Sequence, residues 1–215
     1  MYLPSHFKSQ ELSDAVELMK THSFATLISS DNDGYPYLTH LPLHLETGLQ
    51  DGGKTPLVLL GHVAKGNPHW RYLRDRSAAV VSFMGPHAYM SPRVYPDLLR
   101  VPTWNYLAVE CRVHATLIEA DDAKDSLLQK MIDDYDPNYL KQWKSLATEY
   151  VNKMLAQIVA FKLEVTGYQC KLKLNQHRPE AHAEMRKAYS AGNDDERELA
   201  SWMDKLRLTG TEDGT

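Results

Sequence analysis

The sequence predicts an α+β protein centred on an antiparallel β-barrel. Three observations lead there. Strand-like segments follow one another without a regular strand–helix alternation, helical patterns are inserted between them or gathered at the C-terminus, and turn signals separate neighbouring strands. The chain has 215 residues, 43% apolar and 24% charged, with a net charge of −4. These are ordinary globular values, so a disordered or fibrous chain is excluded, and the length buries a core without disulfide or metal help.

Ser9 is placed to cap a first helix, in which Leu12, Ala15, Val16 and Met19 recur on one face. Phe24–Ser29 reads as a strand, and Asp31-Asn32-Asp33-Gly34 as the turn after it. A second strand is expected over Tyr37–Leu45, with Leu41, Leu43 and Leu45 on one face and His40 and His44 on the other. Pro42 places it at an edge or irregularity. A Gly-rich turn at Asp51-Gly52-Gly53 leads to the strand Pro56–Val63. Asn67-Pro68 opens a short helix, with Asn67 as cap and Pro68 at the first helical position.

Ala78–Met84 reads as a buried strand. Residues 85–103 hold five Pro or Gly and read as a long shaped loop with one short strand near Ala88–Met90. Tyr106–Ile118 is the longest strand, with alternating Leu107, Val109, Cys111, Val113, Ala115 and Leu117. Helices follow from Asp121 or Asp122 and over Ser145–Leu155. Ile158–Val165 is a strand and Cys170–Leu174 a further short one. Helices from Pro179 to Gly192 and over Asp194–Leu206 close the chain, and Thr209–Thr215 is expected to be a disordered tail.

No apolar run approaches the ~20 residues that span a bilayer, and the N-terminus lacks a signal-peptide pattern, so a cytoplasmic protein with no membrane partner is expected. Cys111 and Cys170 are expected to be free thiols. The charge is uneven. Residues 60–115 carry seven basic and three acidic groups, a local +4 between two acidic blocks, and an anionic ligand is expected there.

Gly61-His62-Val63-Ala64-Lys65-Gly66-Asn67 has glycines spaced as in a P-loop, but Asn67-Pro68 stands where Lys-Ser/Thr is required, so a P-loop is rejected. A strand end, a Lys, a Gly and a helix start still suit a phosphate monoester. No Gly-x-Gly-x-x-Gly, metal-ligand spacing or Gly-x-Ser-x-Gly elbow is present. His40 and His44, four apart on a strand, are about 13 Å apart and cannot share an ion. Gly85–Pro92 and Val101–Tyr106 combine rigid Pro with aromatic residues and read as a wall for a flat ligand or a partner. Lys171–Pro179 alternates basic and apolar residues and then presents Asn175, Gln176, His177 and Arg178.

Six ordered motifs together resemble the PaiB family of FMN-binding negative transcriptional regulators: His22–Leu27, His40–Leu43, Gly61–Pro68, Gly85–Pro92, Val101–Tyr106 and Lys171–Pro179. The resemblance runs from Met1 to about Arg186. It implies an FMN-binding split-barrel domain over 1–190, with 191–215 as a C-terminal helix and tail. It also implies a homodimer with FMN at the subunit interface.

Under that resemblance, the phosphate sits at Lys65, Asn67 and the nearby backbone of Val63, Ala64 and Pro68, with His62 just before the turn. The His40-Leu41-Pro42 backbone runs beside the isoalloxazine. Tyr89, Ser91, Trp104 and Asn105 line the pocket, and Lys173, Gln176 and Arg178 supply flavin or interface contacts. Leu172 stands where the family pattern has Trp, and Asn175-Gln176-His177-Arg178-Pro179 where it often has Ser-Gln-Asn-Arg-Pro. DNA is implied as a partner by the resemblance alone. The alternative reading is an FMN-dependent oxidoreductase, flavin reductase-like, with an indirect regulatory effect. A weaker one is a heme-handling split barrel with a His axial ligand.

Overall fold

The computed structural model describes residues 1–48, 56–97 and 99–208. The expected turn at Asp51-Gly52-Gly53 and the tail Thr209–Thr215 lie outside them. Seven strands form one sheet: β1 (Phe24–Ser30), β2 (Pro36–Pro42), β3 (His44–Thr47), β4 (Leu57–Ala64), β5 (Ala78–Met90), β6 (Thr103–Ile118) and β7 (Ile158–Lys173), in the order β2-β1-β5-β6-β7-β4-β3. The helices are α1 (Leu12–Thr21), α2 (His69–Asp75), α3 (Asp121–Tyr135), α4 (Tyr139–Trp143), α5 (Thr148–Leu155), α6 (His182–Ser190) and α7 (Asp194–Lys205). The class is therefore α+β with an antiparallel sheet, as the strand pattern predicts.

The topology forces the sheet to close. Its edge strands are β2 and β3, yet only Leu43 separates them in the chain. Laid flat, seven strands would set their edges about 29 Å apart, whereas two residues flanking one linker residue reach at most about 7 Å. The sheet curls until its edges meet, which makes a barrel. At the seam the Leu43 amide donates to the Ser23 carbonyl at 3.0 Å. Gly61 on β4 permits that approach, because a Cβ there would lie 2.5 Å from Leu43 Cδ2.

The single strand expected over Tyr37–Leu45 is thus two strands on opposite sheet edges. Pro42 has no N–H for the ladder, and Leu43 gives its own to Ser23. Other boundaries shift for similar reasons. Ala78–Met84 and Ala88–Met90 are one strand, because Gly85 and Pro86 are both buried within β5. Ile158–Val165 and Cys170–Leu174 likewise join as β7, which runs through Gly167. A short helix, α4, precedes α5 where one helix is expected. The Asp31–Gly34 turn is present: Asp31 Oδ1 accepts from the Asp33 and Tyr35 amides, and Gly34 has φ +86°.

The chain forms two compact units. The first holds Met1–Leu18, Met84–Val109 and Gln169–Thr215, and the second Met19–Phe83 and Glu110–Tyr168. In the second, β1 and β2 pair antiparallel from Phe24↔Pro42 to Ser30↔Pro36, and β4 pairs with β7 from Val58↔Glu164 to Ala64↔Ile158. Helix α3 seats Leu127 and Met131 on Leu60 and Ala160. In the first, α6 and α7 are joined by Arg186 on Asp204, and α7 begins with a capping box between Asn193 and Glu196. Cys111 and Cys170 are buried and not in a disulfide, and burial with the nearby Asp14 charge pushes the Cys170 thiol up to about 12, so it is not a reactive thiolate.

Helix α2 docks on β1 and β2 through a buried polar knot. His69 is 0% exposed. Its Nδ1 meets Thr39 Oγ1 at 2.8 Å and its Nε2 meets Ser29 Oγ at 3.0 Å. Burial lowers its pKa to about 4, so the ring is neutral in the fold. As pH falls below about 6.5 the unfolded chain takes a proton that the folded one does not. The stability conferred by neutral His69 is therefore complete above pH 6.5 and is lost down to pH 4, in total about 3 kcal/mol. Denaturant midpoints measured across that range should fall in the wild type, and His69→Gln should shallow the slope by about one proton. An unchanged slope refutes the assignment.

Candidate functional site

The residues expected to hold a ligand divide between the two units. In the second unit, Lys65 follows the end of β4 and is exposed, and its ammonium makes no ion pair among the described residues. The amides around it are largely committed. Lys65 N–H donates to Gln157 O at 2.8 Å, Asn67 N–H to Ala64 O at 2.9 Å, and His69 N–H to Asn67 Oδ1 at 3.0 Å. Asn67 Oδ1 also accepts from Tyr37 at 3.4 Å, and Asn67 Nδ2 donates to Thr39 Oγ1 at 3.2 Å. The Asn67 side chain thus accepts from the first helical amide of α2 and anchors the helix to β2, while Pro68 occupies the N-cap position, so α2 starts at His69, one residue later than the sequence suggests.

The cationic character of this turn therefore rests on side chains. Arg71 and Arg74 stack on Trp70 at 5.2 and 5.4 Å, and Trp70 Nε1 donates to Lys65 O. Arg74 is further paired with Asp75, which leaves Lys65 and Arg71 as the cations without a carboxylate partner here. His62, on β4, has Nδ1 buried with no hydrogen-bond partner, and burial holds its pKa below the usual histidine value. A buried orphan of that kind marks a position for a further polar group. His40 is exposed and held by Thr26 Oγ1 at 2.9 Å, Leu41 and Val63 are buried, Pro42 is half-buried, and Ala64 is exposed.

In the first unit, Tyr89 and Trp104 are 50% and 54% exposed and meet edge-to-face at 6.2 Å, with His87 beside Trp104 at 6.3 Å. Together they form an aromatic surface on β5 and β6. Asn105 is 0% exposed. Its Nδ2 donates to Tyr189 OH at 3.0 Å and contacts Met185 Sδ, while its Oδ1 is unpartnered. It therefore belongs to the interior beneath α6, and burial pushes the Tyr189 phenol up to about 12. Ser91 Oγ accepts from Arg93 N–H and caps a 3-10 turn.

The Lys171–Pro179 segment is largely committed to its own scaffold. Buried Lys171 donates to Tyr106 OH at 2.6 Å and Tyr2 O at 3.1 Å, and Lys173 to Thr103 Oγ1 at 2.7 Å and Trp104 O at 2.6 Å. Burial and then the Lys171 charge lower the Lys173 pKa. Gln176 accepts from Leu174 N–H and donates to Leu172 O, and Arg178 lies 3.8 Å from Glu180.

Two cavities of about 450 and 420 Å³ lie in the second unit, one against Ser29, Arg112 and His114, the other against Asp125 and Trp143. Neither is lined by a residue that the sequence singles out for the ligand. Sequence reading also missed Arg71 and Lys171. The signal for Arg71 was a cation next to Trp70, and that for Lys171 a basic residue between Cys170 and Leu172, both meaningful only once packing is known.

A barrel-centred α+β fold with an unpaired lysine after β4 defines a candidate anion-binding barrel protein. The family model described as "Putative FMN-binding domain" matches residues 1–167, and the chain belongs to that PaiB-like family; its cofactor is a flavin. It is 34% identical over 183 residues to Protease synthase and sporulation protein PAI 2 of Bacillus subtilis (strain 168), covering 84% of each chain. It is 30% identical over 152 residues to the uncharacterized protein YKL070W of Saccharomyces cerevisiae, covering 61% of this chain and 86% of that one.

Among solved structures it shares its fold with the FAD and heme binding protein from Mycobacterium smegmatis, at TM-score 0.60 and 21% identity over 78% of this chain and 74% of that one. It also shares it with the flavocytochrome Anf3 from Azotobacter vinelandii, at TM-score 0.61 and 13% identity over 79% and 70%.

Asn175, two residues past the end of β7, has φ 62°; its Nδ2 donates to Tyr95 OH at 2.8 Å and its carbonyl accepts from His182 Nε2 at 3.0 Å. Asn175→Val should destabilise the protein by about 2–3 kcal/mol, because a β-branched residue resists that backbone and the side-chain bond is lost. Asn175→Gly should cost less than half as much. Urea midpoints of the two variants check the order.

Proposed function

We propose that this chain is an FMN-binding homodimer that acts as a PaiB-like regulator, with its effect carried by the flavin-loaded protein and not by a DNA-reading helix of its own. The observation that carries the flavin placement is the unpaired Lys65 ammonium at the end of β4, within the family match. The residues fit the group: Lys65 and Arg71 offer cations to a phosphate, and the orphaned His62 Nδ1 offers a polar contact. Bound FMN supplies the redox chemistry. The protein binds and orients it. The backbone of His40, Leu41 and Pro42 is assigned to the ring.

The homodimer reading is supported by the aromatic surface of His87, Tyr89 and Trp104, since exposed apolar patches of this kind commonly mark interaction sites. The indirect form of regulation is supported by the C-terminal helices. Helix α7 carries five acidic and two basic residues, which disfavours docking on phosphates. The relative's printed name, a protease synthase and sporulation protein, supports a regulatory role.

Purified protein should show flavin absorbance or take up FMN. Lys65→Ala should weaken FMN by about tenfold to a hundredfold, the worth of one charge-assisted phosphate contact. Equal affinity by fluorescence titration removes Lys65 from the site. A promoter duplex shifted by the holoprotein at low salt would replace indirect regulation with direct binding. Trp104→Glu should convert the dimer to monomer in light scattering while far-UV circular dichroism stays unchanged. A persistent dimer removes that surface from the interface.

A further inference from the structure

The 450 Å³ cavity of the second unit opens on the outer face of the sheet, where β1, β5, β6 and β7 lie side by side. Its size falls within the ~300–1,000 Å³ of small-molecule sites. Small residues make the room, Ser29 and Ser30 on β1 and Ala78 and Ala79 on β5. Ile28 and Val80, partners in the β1–β5 register, supply an apolar wall. Cys111, Val113 and Ala115 of β6 are buried, so the alternate residues Arg112 and His114 face outward and enter the lining.

The polar side chains of the lining divide by what they are already engaged in. Ser29 Oγ meets His69 Nε2, Thr166 Oγ1 donates to the Arg112 carbonyl, and His114 Nδ1 meets Ser77 Oγ. Ser30 Oγ and His114 Nε2 are left, and each can donate or accept, so neither selects a charge. The Arg112 guanidinium has five donors, no acceptor and no partner among the described residues. No carboxylate lines this cavity among the described residues. Of those nearby, Glu164 is held by Lys162 at 2.6 Å, Asp31 Oδ1 takes the Asp33 and Tyr35 amides, and Glu110, two residues from Arg112 along β6, stands outside the lining. Arg76 donates to the Ser30 carbonyl at 3.0 Å and sets a second guanidinium beside the lining. A fixed fork of donors next to an apolar wall matches one carboxylate on an apolar body. The two carboxylate oxygens take paired N–H bonds from Arg112, and the body covers Ile28 and Val80.

We propose that this cavity binds a small monocarboxylate with an apolar body. It shares no residue with the cofactor assignment, so flavin absorbance reports separately on that reading. The test is calorimetric titration of the full-length, FMN-loaded protein with benzoate, with benzamide as the uncharged analogue and acetate as the one lacking the apolar body. One benzoate per chain is expected, with benzamide and acetate each at least tenfold weaker. Arg112→Gln, at an exposed position, should weaken benzoate at least tenfold with melting temperature and flavin content unchanged. Ala78→Phe, which fills the cavity and keeps the charge, should weaken it as much. The proposal is overturned by no benzoate binding, by equal binding in either variant, by benzamide or acetate as tight as benzoate, or by release of FMN on adding benzoate, which would make the cavity part of the flavin site.

Discussion

Leu43 is the sole link between two strands that lie at opposite edges of a seven-stranded sheet, and that connection leaves the sheet no flat solution. Closure brings the chain's sharpest local conflicts to one line. Pro42 has no N–H to give, Leu43 bonds to Ser23, and β4 carries Gly61 where any side chain would strike Leu43. Helix α3 then crosses the same line and is fastened on both sides, at His44 and at Ser23. The barrel and the position of α3 both follow from one residue spanning what would otherwise be a wide gap.

Polar side chains in this protein serve the scaffold more often than their types suggest. Asn67, Gln176, Lys173 and Ser91 each look free to meet a ligand, and each is spent on a cap, a turn or a strand end. The reason is the cost of burying an unpaired polar group, which the chain meets with whatever neighbour is local. Groups left over then carry more information than groups that are merely polar. Lys65 and His62 Nδ1 are of that kind, and the functional reading rests on them.

The family assignment and the site geometry address different questions. Family membership covers residues 1–167 and brings a flavin with it, while the solved relatives, at low identity, share the fold. The exposed aromatic surface on β5 and β6 is a property of this chain's own packing: odd-numbered His87 and Tyr89 face outward because the even-numbered Ala88 and Met90 are buried. Flavin binding and self-association are thus supported by separate observations, one electrostatic and one apolar.

By itself the sequence determined the fold class, the Asp31–Gly34 turn, the alternation of β6 and the cationic turn after β4. All of these depend on neighbours within a few residues, where periodicity and turn chemistry act. It did not determine that Tyr37–Leu45 breaks at Leu43, since a two-residue period runs unbroken through Leu41, Leu43 and Leu45 and all three are buried. It did not show that Gly85 and Pro86 stay inside β5, or that Asn105 lies under α6. Those outcomes were decided by tertiary structure, because strand pairing and burial are set by residues distant in the chain, and a side chain's donors are free or committed only once those partners arrive.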